Sequence, residues 1–123
     1  MIAIKRVYDP PQEGDGLRIL VDRIWPRGLS RERARLDRWM KEVAPSTALR
    51  TWFGHRPERW AEFSRRYRAE LKDNPALDEL RKLIGRRRAT LLYSARDTER
   101  NQAVALRQVL LARRAPPVSA RRK

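Results

Sequence analysis

The chain has 123 residues, enough for one domain with a real core and too few for two. It contains no cysteine and a single histidine, which excludes disulfides, thiol catalysis, thiolate metal sites and a multi-histidine zinc site, while a carboxylate-bound magnesium ion stays open. Thirty basic residues against fifteen acidic ones give a formal charge of +15, so non-specific attraction to polyanions in low salt is expected.

Ile2 to Tyr8 alternates apolar and basic residues and stops at Asp9-Pro10-Pro11, which predicts a strand and a turn. The first residues lack signal-peptide organisation, and nowhere are 18 apolar residues consecutive; a cytoplasmic protein with no membrane partner is expected. Leu17 to Arg23 is a second strand, more hydrophobic and therefore more central. The short link between the two favours an antiparallel hairpin on length alone.

Ser30 can cap a short helical turn. Leu36, Trp39, Met40 and Val43 follow at the i, i+3, i+4, i+7 spacing of one apolar helix face, and Ala44-Pro45 ends it. Ser46 or Thr47 caps another short helix carrying Leu49, Trp52 and Phe53. After the break Gly54-His55-Arg56-Pro57, a helix carries Trp60, Phe63, Tyr67 and Leu71 on one side and the pair Glu62–Arg66 on the other. Asn74-Pro75 opens a further helix with Leu77, Leu80 and Ile84 inward. Ala89 to Tyr93 is a third buried strand, and Asp97 or Thr98 is expected to cap a final helix with Ala103, Leu106 and Leu110. Residues 1–112 read as one α/β domain: a small, mostly parallel sheet of about three strands packed by helices. Residues 113–123, with Arg113, Arg114, Arg121, Arg122 and Lys123, read as a basic disordered tail.

The long helical crossover makes the second and third strands parallel, so both end on one edge. Asp22-Arg23 and Ser94-Arg96-Asp97 are therefore expected side by side, where open α/β sheets bind ligands. Arg23, Arg27 and Arg96 can grip a carboxylate or phosphate there, with Ser94 and Asn101 adding polar contacts and Trp25-Pro26 a rigid wall. Asp22, Asp97 and His55 are the candidates for orienting a partner or moving a proton. Each has a plainer explanation: a buried ion pair for Asp22 and Arg23, a helix cap for Asp97, a carbonyl-bonded imidazole for His55, a core ring for Trp25. Trp39, Met40, Trp60 and Phe63 read as core and nothing more. No Walker loop, dinucleotide fingerprint or nucleophile elbow occurs.

Lys5-Arg6-Val7-Tyr8, Val21-Asp22-Arg23-Ile24-Trp25-Pro26-Arg27-Gly28, Ala44-Pro45-Ser46, Trp52-Phe53-Gly54-His55 and Leu91-Leu92-Tyr93-Ser94-Ala95 together resemble the YeaO-like bacterial proteins, domain-of-unknown-function family 488, over roughly residues 2 to 112. The resemblance implies no particular activity. Because longer members place a helix between the first two strands, it implies that these run parallel here. The expected function is a cationic pocket at the strand ends for a small anionic ligand, a nucleotide or phosphorylated metabolite, with enzymatic activity left open and no cofactor implied. The alternative is a nucleic-acid-binding protein acting through its basic surface and tail, although no recognition motif for nucleic acid is present. Oligomeric state is not legible.

Overall fold

The computed structural model describes residues 1–112 and has four strands and five helices in the order β1 (Ile2–Arg6), β2 (Leu17–Leu20), α1 (Arg31–Ala34), β3 (Arg38–Trp39), α2 (Thr47–Phe53), α3 (Trp60–Lys72), α4 (Pro75–Ile84), β4 (Ala89–Tyr93) and α5 (Gln102–Ala112). The strands form one sheet in the spatial order β1-β4-β2-β3, and every neighbouring pair is parallel. The basic tail expected over 113–123 lies outside the described residues.

β1 and β2 are thus parallel, and the hairpin favoured by loop length does not form. Residues 7–16 suffice for the return because the link steps over β4. Ten extended residues reach roughly 33 Å, well beyond the ~17 Å length of a five-residue strand. Lys5 pins this link by donating to the Pro10 carbonyl (2.8 Å) and to Asp15 (3.2 Å). Asp15 also takes the buried Arg18 guanidinium at 2.6 Å. Gly16 closes the link at φ +65, so close to the Arg88 carbonyl that a β-carbon would lie 2.2 Å from its oxygen.

The sheet count of about three is one short, and the missing strand replaces a predicted helix. Residues 36–43 form β3 and a 3-10 turn over 41–43, not a helix. The Asp37 and Met40 amides donate to the Arg18 and Leu20 carbonyls, and Asp37 Oδ2 accepts from the Arg18 amide, so the segment is tied to the edge of β2. Trp39 and Met40 then point to opposite faces, as neighbours on a strand must.

That alternation divides the core. Ile19, Val21, Leu91 and Tyr93 meet the large cluster supplied by helices α2 to α5. Val7, Leu20 and Leu92 meet a smaller one with Trp25, Leu29, Leu36 and Trp39. Trp39 is therefore core, but on the face away from α3. The predicted helix starts at Ser30, Ser46 and Asn74 hold: each side chain accepts from an amide of its helix's first turn. The final helix starts later than expected. Asn101 Oδ1, not Asp97 or Thr98, accepts from the Val104 amide at 3.1 Å, because Asp97 is used to close the preceding turn.

Candidate functional site

β2 ends at Leu20; the Val21 amide just beyond it still donates to the Leu92 carbonyl, and the chain then leaves the sheet at Asp22. β4 ends one strand over, at Tyr93, and exits through Ser94. The two exits are joined directly: Asp22 Oδ2 accepts from the Ser94 amide at 3.1 Å and from its hydroxyl at 2.5 Å. Gln102, in the first turn of α5, donates to Asp22 Oδ1. The Asp22 backbone carbonyl takes the Trp39 indole N–H at 2.7 Å. The side chain is thus held by a strand exit and a helix start, with only 8% of the residue exposed. Burial pushes its carboxyl above the ordinary value, against the opposing pull of Ser94, Gln102 and the charge of Arg50.

Around Asp22 lies a cleft of about 730 Å³. One wall is the β2 exit, Arg23 to Arg27; the facing wall is the β4 exit, Ser94 to Asp97, with Asn101 and Gln102; the third comes from Ala44, Pro45 and α2, ending at His55. Phe53 and Phe63, stacked at 4.3 Å, form an apolar floor. All nine residues singled out in the sequence, Asp22, Arg23, Trp25, Arg27, His55, Ser94, Arg96, Asp97 and Asn101, border this one cleft.

Their contacts differ in kind. Arg23 donates to the Pro45 and Ala44 carbonyls, both at 3.1 Å, and so braces a wall. Trp25 donates to the Leu29 carbonyl, packs edge-on against Trp39 and carries the Arg31 guanidinium on its face. Asp97 Oδ1 accepts from the Glu99 and Arg100 amides and Oδ2 from the Arg100 guanidinium. Those donors hold its carboxyl below the usual carboxylate range. Asn101 is buried, capping α5 and donating to the Asp97 carbonyl. His55 is exposed at the end of α2, in left-handed backbone (φ 58) and tilted against Phe53. Arg27, Arg50 and Arg96 are exposed and make no ion pair among the described residues.

Sequence reasoning missed Arg50, Gln102, Phe53 and Phe63 as lining residues. Phe63 is core, as its spacing predicts, and also floors the cleft. No group of three or more His, Asp or Glu side chains suited to a metal ion occurs among the described residues. No helix among them is long and apolar enough to cross a membrane.

A four-stranded parallel sheet packed by helices, with a cleft at its carboxyl edge, defines the class as a single-domain α/β protein. Over residues 1–119 the sequence matches the family model described as the inactive DUF488-N3 subclade, and the chain belongs to that family. It is similar to the uncharacterized protein Rv3073c of Mycobacterium tuberculosis, 46% identical over 112 residues that cover 91% of this chain and 95% of that one. It is also similar to the uncharacterized protein YeaO of Escherichia coli, 44% identical over 106 residues, covering 85% and 92% respectively. No solved structure matches.

Proposed function

We propose that this chain is a binding protein, not a catalyst, whose cleft holds a small anionic ligand of the nucleotide or phosphorylated-metabolite class. The observation that carries the reading is the set Arg27, Arg50 and Arg96, three cations bordering one concavity with no carboxylate partner among the described residues. Other exposed arginines, Arg33, Arg38 and Arg68 among them, also lack an ion pair among the described residues, but they do not border the cleft; the distinguishing feature is that three converge on one concavity. Unpaired guanidinium groups at a concave site are suited to a bidentate anion. The cleft's size falls within the roughly 300–1,000 Å³ usual for small-molecule sites.

Binding without turnover is favoured by the family description and by the contacts of the three acid–base candidates. Asp97 is committed to its own turn, His55 has no hydrogen-bond partner among the described residues to orient it, and Asp22 is committed to Ser94 and Gln102. In this reading Asp22 orients the ligand, Ser94 and Asn101 shape the cleft around it, and Arg23 and Trp25 hold the wall.

The test is a thermal-shift screen of nucleotides, phosphorylated metabolites and carboxylates at moderate salt, with Arg50→Glu and Arg96→Glu beside the unaltered chain. A ligand at 100 times its dissociation constant adds about 2.7 kcal/mol of stability. A shift in the unaltered chain that both variants lose supports the reading. A second reading, nucleic-acid binding through the basic surface, rests on the charge of +15. A response to polyanions alone, vanishing in salt, would replace the first reading with the second.

A further inference from the structure

We infer that the ligand of this cleft is a ribonucleoside phosphate and that Asp22 accepts a hydrogen bond from its sugar. The inference rests on the anion-binding reading of the same cleft and adds the neutral part of the molecule. Asp22 Oδ2 already accepts two hydrogen bonds, from the Ser94 amide and hydroxyl. Oδ1 accepts one, from Gln102, among the described residues. A carboxylate oxygen has two lone-pair positions, so one remains on Oδ1 in a side chain that borders the cleft and is almost wholly buried. A hydrogen-bond donor on a molecule in the cleft can use that position without displacing Gln102.

The surroundings select the donor. An ammonium group at Asp22 would meet the field of Arg50, whose charge already acts on that carboxyl from the same cleft. A hydroxyl is neutral and donates equally well. Arg27, Arg50 and Arg96 call for an anion elsewhere on the molecule. Ala44, Pro45 and Phe53 present an apolar surface that a bare sugar phosphate would leave uncovered and a flat heterocycle would pack against. A hydroxyl-bearing ring that joins a phosphate to a flat heterocycle satisfies all three parts of the cleft, and that is a ribonucleoside phosphate.

The experiment measures, by calorimetry, binding of adenosine and uridine 5′-monophosphate, their 2′,3′-dideoxy counterparts and inorganic pyrophosphate. The ribonucleotides should bind about tenfold more tightly than the dideoxy forms, because a hydrogen bond to a charged acceptor is lost. Asp22→Asn should abolish that difference, while inorganic pyrophosphate, which has no sugar, should still bind to the variant. The sugar comparison is made on the unaltered chain and does not depend on the variant folding. Equal binding of ribo and dideoxy forms, or a difference that survives in a folded Asp22→Asn, overturns the inference while the anion-binding reading stands. Failure of every phosphate compound, pyrophosphate included, overturns both.

Discussion

Arg6 and Arg23 brace opposite walls of the cleft with the same grip. Arg6 donates through Nε to the Ala95 carbonyl (2.9 Å) and through Nη2 to that of Ser94 (3.0 Å). Arg23 does so to Pro45 and Ala44, both at 3.1 Å. Arg18 repeats the pattern on Ala34 and Arg35. In each case a planar fork spans two consecutive peptide carbonyls that no strand or helix satisfies. This use needs the geometry of arginine, and charge alone does not supply it.

Arg6→Lys and Arg23→Lys should therefore each cost about 1–2 kcal/mol, since an ammonium on a flexible stem replaces two fixed hydrogen bonds with one. Urea denaturation measures the loss. An exposed control such as Arg68→Lys should stay within about 0.5 kcal/mol of the unaltered chain. Equal behaviour of the three would show that the grip contributes nothing.

Asp22 gives a pH signature. Its carboxyl lies above the ordinary value of 3.8 because of burial, so the folded chain holds that proton more tightly than the unfolded one. The corresponding stability is complete below the ordinary value and is lost as pH rises through the window above it. Asp15 runs the other way. Burial pushes it up, but the Gln12 amide, Lys5 and Arg18 outweigh that and hold it below the ordinary value, so its contribution is lost on acidification. The stability of the unaltered chain minus that of Asp22→Asn, followed by denaturation from pH 3.5 upward, should fall as pH rises. A difference that rises instead would mean that the ionised form is favoured by folding.

Glu70 on α3 anchors the start of α2. It accepts from the Ser46 amide at 2.9 Å and from the Ser46 hydroxyl at 2.6 Å, while Ser46 caps the helix that carries Arg50 and leads into the turn at His55. Glu70→Ala leaves both Ser46 donors without their acceptor and should cost about 1–3 kcal/mol. It should also loosen any ligand held by Arg50, with Glu70→Gln recovering part of both. Amide hydrogen exchange would locate the change: protection should fall in residues 47–53 before it falls in the strands.

Gly16→Ala should be the most damaging small substitution in the N-terminal half. The new methyl would sit 2.2 Å from the Arg88 carbonyl oxygen in a backbone of φ +65. A loss of about 2 kcal/mol or more is expected. Gly14→Ala, with open space around its position, should be nearly neutral by the same denaturation measurement.

The cleft was legible because two apolar runs each stop at polar residues, Val21 before Asp22 and Tyr93 before Ser94, and parallel strands bring such stops together. β3 was not legible. Two residues carry no period, and the spacing of Leu36, Trp39, Met40 and Val43 suits a helix face as well as two strand faces. Arg50 was hidden among thirty basic residues, and nothing in the type or spacing of Gln102 marks it. The carbonyl grips of Arg6, Arg18 and Arg23 were hidden more deeply, since a backbone acceptor leaves no trace in residue type. The cap of α5 was misplaced because Asp97 and Asn101 both make cap-like bonds, one to a turn and one to the helix.

The strand order β1-β4-β2-β3 has a consequence for biosynthesis. β4 stands between β1 and β2 and pairs with both, yet it begins only at Ala89. A nascent chain carrying β1 and β2 has nothing to insert between them: β1 stays unpaired, and β2 has only the two-residue β3 on its other edge, until most of the polypeptide has left the ribosome. Truncation anywhere before Ala89 removes the common partner of two strands at once. Joining β1 to the rest of the sheet is therefore a late event, and prematurely terminated products should be cleared by proteolysis without accumulating as partial folds.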